Sequence, residues 1–126
     1  MRMGSMAASA MNAFSVDMMV RANNIANVNT DGFKAQNVNL MTGAGGEGVM
    51  VGSISTNDTP GPPIPGYLGV DAISREVVSP GHLEGSNTDL AREYVHMIST
   101  QRAYEANAVS VRTVDDMTGF LLDMKA

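Results

Sequence analysis

The chain has 126 residues, no cysteine and a formal net charge of -5 at pH 7, and 44% of its residues are hydrophobic. This length suits one domain with a modest core, and the missing cysteine excludes disulfides and thiolate chemistry. The acidic balance argues against general nucleic-acid binding, which needs a basic face.

The distribution of helix-breaking residues divides the chain into three zones. All five prolines lie between Pro60 and Pro80, and ten of the thirteen glycines lie between Gly43 and Gly85. Because these residues interrupt helices and shape turns, the sequence predicts helix, irregular centre and helix. We expect one domain over residues 1–126, with an N-terminal core helix (1–30), a small β and loop region (31–86) and a long C-terminal core helix (87–126).

The first zone has the apolar spacing of an amphipathic helix of about 24 residues. This helix should end near residues 27–29, where Gly32 then offers a position that tolerates positive φ. Asparagines crowd its end although asparagine is a mediocre helix residue, so we expect them to cap the helix or to bond to neighbours. The predicted packing residues are Met11, Phe14, Met18 and Ile25, with small alanines between them (Ala7, Ala8, Ala10, Ala13, Ala22, Ala26).

The centre favours short strands and loops. Strands are predicted at residues 49–55 and 67–78, and the proline-rich stretch 59–66 should be an extended loop because proline lacks the N–H donor. Residues 43–48 spell G-x-G-x-x-G, but a dinucleotide site needs a strand before this motif and a helix after it. We therefore interpret residues 43–48 as a flexible loop.

The third zone predicts a helix of about 37 residues, capped by Ser86 or Asn87, with Asp89 in its first turn. A helix of this length is too long for the first helix to cover, so its apolar end should stay exposed in a monomer. Exposed apolar helix faces are usually buried by another chain, which predicts self-assembly. The predicted packing stripe is Tyr94, Met97, Gln101, Tyr104, Ala108 and Val111, shifting to Val114, Met117, Leu121 and Met124.

No arrangement of residues in the sequence indicates catalysis or cofactor binding. His82 and His96 have no partners at metal-ligand spacing, and the adjacent Asp115 and Asp116 point in different directions from a helix. No serine is marked as a nucleophile. We therefore expect no enzyme, no metal and no cofactor. The early polar residues also argue against a secretory signal, and no apolar run reaches membrane-spanning length, so we expect no direct membrane insertion.

Two segments resemble the signatures of the bacterial flagellar axial proteins, the rod and hook subunits of the basal body. One is residues 22–34 (ANNIANVNTDGFK), and the other is residues 85–107 (GSNTDLAREYVHMISTQRAYEAN). The two occur in the family's order at the two ends of the chain. The residues that carry the resemblance include Asn23, Asn24, Asn27, Asn29, Thr30, Gly32, Phe33, Asn87, Asp89, Arg102 and Asn107.

The resemblance implies a mainly α fold in which the terminal helices pair as an antiparallel coiled-coil-like unit, with short Gly/Pro-rich central strands and loops. It implies a structural subunit of the basal-body rod that assembles into the axial tube and transmits torque. The expected partners are the chain itself, other rod and hook proteins, and the flagellar type III export apparatus, which exports without signal cleavage into a rod that spans the periplasm. The alternative is a non-polymerising export adaptor or assembly cap, and the position along the rod stays open.

Overall fold

The computed structural model describes residues 2–64 and 84–126. In chain order it contains α1 (Arg2–Ala26), β1 (Gln36–Thr42), a 3-10 turn (Ala44–Gly46), β2 (Val49–Thr56) and α2 (Leu90–Lys125). The prediction of a mainly helical protein with a small β region is confirmed. The strand predicted at residues 67–78 lies outside the described residues.

The buried face of α1 has small side chains in its first half and polar ones (Asp17, Arg21, Asn24) in its second. Ala7, Ala10, Ala13 and Val20 recur at intervals of three and seven residues, which places them on one side of a helix. Such short side chains let a second helix approach closely. Beyond Ala26 the chain turns through Gly32, whose φ of 70° lies in the left-handed region that glycine tolerates best.

The N-cap of α2 differs from the prediction. Asp89 has an extended backbone (φ -94°, ψ 102°), and its carboxylate accepts a hydrogen bond from the Arg92 backbone N–H. A cap at Ser86 or Asn87 is therefore wrong. Asn87 cannot serve because its side chain bonds to three other backbone groups, and the Ser86 hydroxyl accepts from Thr88 N instead, whereas Asp89 is of a type that caps well.

The two helices pack against each other in opposite directions. Arg21 of α1 meets Glu93 of α2, Asp17 meets Thr100, and a Cβ added at Gly4 would lie 3.9 Å from Val114 Cγ1. In these contacting pairs, the residue number falls along α1 as it rises along α2, so the helices are antiparallel. By this pairing α2 passes the start of α1 near residue 116. Residues 117–125, which we name the apolar end of α2, extend about 13 Å farther at 1.5 Å per residue.

The strands form an antiparallel hairpin that lies against α1. The register runs from Gln36 opposite Thr56 to Thr42 opposite Val49, with an irregularity between Asn39 and Leu40. The predicted strand at residues 49–55 is confirmed as β2. β1 was not predicted, because two asparagines in QNVNLMT weaken its strand signal.

The G-x-G-x-x-G segment is the loop of this hairpin, followed by a strand and not by a helix. Its interpretation as a loop is confirmed. A Cβ at Gly48 would overlap Ser9 Oγ of α1, and Ser9 Oγ accepts a hydrogen bond from the Val49 backbone N–H at 3.2 Å. Gly48 thus allows the close approach that joins the hairpin to α1.

Over residues 2–64 and 84–126, neither helix combines the length and the apolarity that a bilayer span requires.

Candidate assembly site

The predicted packing residues of α1 flank its buried alanine line. Met11, Phe14, Met18 and Ile25 are all half-buried, whereas Ala8, Ala22 and Ala26 are exposed. The bulky side chains therefore cover the edges of the helix contact, and the alanines Ala7, Ala10 and Ala13 lie at its centre.

The buried line of α2 is rotated from the predicted stripe. Met97, Tyr104, Ala108 and Val111 are half-buried, but Tyr94 is 50% exposed and Gln101 is exposed, with its amide donating to Glu105. The half-buried or buried polar positions Glu93, Thr100 and Asn107 lie on this line instead. Apolar spacing therefore found Met97, Tyr104, Ala108 and Val111 on this line but not its polar positions.

A buried charged cluster joins three elements of the fold. Arg21 Nη1 donates to Asn37 Oδ1 of β1 at 2.9 Å and lies 3.3 Å from Glu93 Oε2 of α2. One turn earlier on α1, Asp17 accepts a 2.6 Å hydrogen bond from the Thr100 hydroxyl. The three charged side chains are at most 10% exposed. We name these five residues the Arg21 cluster: Asp17, Arg21, Asn37, Glu93 and Thr100.

The Arg21 cluster was not predicted from the sequence. Its signal was an acid and a base four residues apart on the apolar face of a helix, where an exposed pair would not lie. Arg21 Nε lies 3.4 Å from Asp17 Oδ1 but makes no hydrogen bond. This contact between the two side chains is therefore electrostatic only. Two carboxylates surround one guanidinium, so removing Arg21 alone would leave two negative charges buried.

One asparagine of each signature, Asn24 and Asn87, bonds at the junction between the helices and the hairpin. Asn24 is fully buried; its Nδ2 donates to Gln36 O at 2.7 Å, and its Oδ1 accepts from Gln36 N at 2.9 Å. The amide thus pairs with both backbone groups of one residue, as a neighbouring strand would. This pairing fixes the start of β1 against α1.

Asn87 performs the equivalent role before α2. Its Oδ1 accepts from Ala35 N at 2.7 Å, and its Nδ2 donates to Asn57 O and Thr59 O at 2.7 and 2.8 Å. One side chain therefore holds the segment entering β1 beside the segment leaving β2. Its backbone N–H also donates to Phe33 O.

An ion pair adds to this junction. Lys34 Nζ donates to Glu84 Oε2 at 2.8 Å and to Thr59 O at 3.1 Å. The Lys34 hydrogen bond, assisted by one from Gly61 N, lowers the pKa of Glu84 below its usual value of 4.5. Gly32 N donates to Glu84 O, so the turn after α1 is tied to the same segment.

The other signature residues make local bonds or lie at the surface. Asn27 Nδ2 donates to Asn23 O at 2.9 Å and to its Oδ1, and Asn27 Oδ1 accepts from the Thr30 hydroxyl. Asn107 Nδ2 donates to Ala103 O within α2, and Asn29 is exposed. Arg102 is 79% exposed and lies 3.8 Å from Glu105.

The apolar end of α2 presents large side chains to solvent. Phe120, Leu121, Leu122 and Met124 are between 64% and 70% exposed. Met117, Phe120 and Leu121 line an apolar groove there with Thr113 and Asp116. Chemically this end offers hydrophobic contact and no catalytic group. In the part of the chain that the structure describes, no three His, Asp or Glu side chains are grouped to hold a metal ion.

Comparison with known proteins matches both ends of the chain. Residues 5–34 match the family model "Flagella basal body rod protein", and residues 79–124 match "Flagellar basal body rod FlgEFG protein C-terminal". Together the two models span more than half of the chain. They cover α1 with its turn and nearly all of α2.

Curated relatives carry rod and hook names. The flagellar basal-body rod protein FlgG of Borreliella burgdorferi is 33% identical over 98 residues, 78% of this chain and 31% of the relative. FlgG of Buchnera aphidicola is 35% identical over 80 residues, 64% of this chain and 30% of the relative. The flagellar hook protein FlgE of Escherichia coli is 42% identical over 45 residues, 36% and 11% of the two chains.

In each of these comparisons the matched region spans less than a third of the relative. Both family models nevertheless match in the expected order, and the relatives are structural proteins of the rod and hook and not enzymes. The chain therefore belongs to the flagellar basal-body rod and hook protein family.

Proposed function

We propose that this protein is a structural subunit of the flagellar basal-body rod that self-assembles through its terminal helices. The observation that carries the proposal is the apolar end of α2, where four large side chains are more than 60% exposed. Water-exposed apolar side chains grouped in this way mark an interaction surface. A neighbouring copy that covers them would stabilise the assembly by roughly 1.5 to 3 kcal/mol for each side chain that it buries fully.

The upstream part of α2 supports the same proposal. Tyr94, Val95, Ile98 and Val109 are each at least 50% exposed although α1 covers the opposite face. A helix with apolar residues on both faces is typical of one that is buried between partners. In the assembled rod, α1 and α2 would form a coiled-coil-like unit surrounded by the same unit of neighbouring subunits, and such an axial tube would transmit torque.

Family membership supports the proposed location and partners. The relatives named above are rod and hook proteins of the flagellum. We place this chain in the rod of the basal body, across the periplasm, in contact with other rod and hook proteins. Its export would use the flagellar type III apparatus without signal cleavage.

Substitutions at the apolar end of α2 test the assembly proposal. Phe120→Asp and Leu121→Asp place charge where the side chains are exposed in the monomer, so folding should be unaffected. Assembly of the purified protein should be lost, as measured by sedimentation velocity over a concentration series and by electron microscopy. Tyr104→Asp is expected to abolish assembly too, but Tyr104 is half-buried beside α1 and its loss also disturbs the helix pair.

Ala44→Asp is the matched control, because it adds the same charge at an exposed position of the hairpin loop, away from the exposed apolar residues of α2. It should assemble as the unsubstituted chain does. If Phe120→Asp and Leu121→Asp assemble normally, the apolar end is not the interface. If the unsubstituted chain stays monomeric at every concentration yet binds isolated basal bodies, the non-polymerising adaptor or cap is favoured instead.

A further inference from the structure

The helix contact is centred on alanines, which specify poorly how the two helices align along their length. Ala7, Ala10 and Ala13 present the same methyl group at three positions at the centre of the contact. Sliding α2 by one turn would exchange one small apolar contact for another at little cost. Helix pairs with uniform apolar seams adopt alternative registers unless a polar residue on the seam selects one.

The Arg21 cluster is such a polar element. Glu93 and Thr100 lie seven residues apart on α2 and meet Arg21 and Asp17, four residues apart on α1. A shift of one turn in one direction would bring Met97 to the place of Glu93 and leave the guanidinium without a carboxylate across the contact. A shift in the other direction would bring Glu93 towards Asp17. Either shift buries unpaired or like charges, which is strongly unfavourable.

We propose that the Arg21 cluster sets the register in which α1 and α2 pair. Asn37 reinforces this selection because its Oδ1 accepts from Arg21 Nη1 and holds the guanidinium from the hairpin side. Through the register, the cluster also determines how far α2 extends past α1. One turn of slippage would change that length by about 5.4 Å and present different side chains. This last consequence rests on the proposed function, whereas the register itself does not.

Cysteine pairs can report the register directly, because the chain has no cysteine of its own. Gly4→Cys/Val114→Cys joins positions that touch in the observed register. Gly4→Cys/Val111→Cys and Gly4→Cys/Thr118→Cys report shifts of about one turn in either direction, and both α2 positions are half-buried like Val114. Mild oxidation of the full chain in dilute solution, read by mass spectrometry of the monomer, gives the yield of each disulfide.

Three backgrounds test the role of the cluster. The first is the unsubstituted cluster. The second is Asp17→Leu/Arg21→Met/Glu93→Leu/Thr100→Val, which removes every charge so that none is left buried without a partner. The third is Arg21→Glu/Glu93→Arg, which moves the cation to α2, where it can meet both carboxylates of α1. Arg102→Met/Glu105→Gln is the control, because it removes an ion pair that is exposed.

The unsubstituted chain, the exchanged pair and the control should each favour the 4–114 disulfide over both shifted pairs by about tenfold or more, because a slip buries unpaired charge. The apolar cluster should keep its helical circular dichroism but favour the 4–114 disulfide by no more than about threefold, since only the junction at Asn24 and Asn87 then opposes a slip. A folded apolar cluster that still favours 4–114 tenfold would overturn the proposal.

If the apolar cluster does not fold, the test is a comparison of the exchanged pair with the single substitution Arg21→Glu. Restored preference for 4–114 supports the proposal, and no restoration refutes it. Because disulfide yields are read on the monomer, a failed register test leaves the assembly experiments above unaffected.

Discussion

At the scale of single residues, two asparagine side chains supply hydrogen bonds that backbone groups of a neighbouring strand would otherwise supply. Asn24 satisfies both backbone groups of Gln36, and Asn87 joins the two strand ends to the start of α2. A side-chain amide carries a donor and an acceptor in one plane, so it can bond where no strand is available. This explains Asn24 in the first signature against its helix propensity, whereas Asn23 and Asn27 bond locally at the end of α1. In the structure, Asn24 and Asn87 bond within the subunit.

Asn24→Ala is expected to destabilise the fold by about 2 kcal/mol, because both Gln36 backbone groups lose their partner in a buried site. Asn23→Ala is the matched control: it makes the same change in helix propensity at an exposed position one residue earlier. Urea unfolding followed by circular dichroism gives both values. Equal stabilities for the two variants would show that the Asn24 bonds contribute little.

The Lys34–Glu84 pair predicts a specific acid sensitivity. Because the pKa of Glu84 is lowered in the folded state, its contribution is present above the unfolded value of 4.5 and is lost as pH falls through the folded pKa. Lys34→Met should raise the pKa of the Glu84 carboxyl, measured by NMR titration of its side-chain carbon. Arg102→Met, which removes an exposed cation elsewhere, should leave the titration of Glu84 unchanged. If the pKa of Glu84 is the same with and without Lys34, the hydrogen bond from Lys34 is not what lowers it.

At the scale of elements, one of the contacts between the hairpin and α1 depends on a glycine. Gly48 has a φ of 72°, and a Cβ there would overlap Ser9 Oγ, whereas Gly45 has a φ of 77° and nothing within 4 Å of an added Cβ. The two glycines therefore share the backbone requirement but not the contact. Sequence alone cannot separate them, because they differ only in what lies opposite.

Gly45→Ala should cost about 1 kcal/mol of unfolding free energy, from the left-handed backbone alone. Gly48→Ala should cost clearly more, because the hairpin must also move away from Ser9. Thermal unfolding measures both, and Gly48→Ala/Ser9→Ala should recover part of the difference by relieving the overlap. If Gly45→Ala and Gly48→Ala unfold alike, the hairpin does not depend on this approach.

At the scale of the whole molecule, the helix pair is unequal in length. α1 has 25 residues and α2 has 36, so residues 117–125 lack the tertiary cover that α1 gives the rest of α2. Most helical stability in proteins comes from packing of an apolar face, and a short uncovered end is marginal by itself. The difference in length thus gives the monomer a stable part and an end that, by the proposed function, a neighbouring copy covers.

Hydrogen exchange should report this difference. In dilute monomer the amides of residues 117–125 should exchange much faster than those of residues 97–111, and under assembly conditions their protection should rise by about tenfold or more. The amides of residues 97–111 serve as the internal control, because α1 covers them in both states. Protection of residues 117–125 that is already complete in the monomer would contradict the need for a partner.

The sequence by itself determined the long elements and the family. Apolar spacing predicted both helices to within a few residues, the prolines and glycines located the irregular centre, and two signatures in order identified the rod and hook relatives. The excess length of α2 also followed from the sequence, since length and apolarity are local properties. These features depend on neighbours along the chain, which a sequence displays directly.

Only the tertiary structure decided which residues meet. No local pattern links Glu93 to Asp17 and Arg21, yet the three lie buried together because α1 and α2 bring residues 72 positions apart into contact. The asparagine-rich β1 forms a strand because β2 and Asn24 supply its backbone partners. The physical reason is the same in both cases: a polar group is stable inside a protein only when distant parts of the chain satisfy it, and those partners are set by the fold.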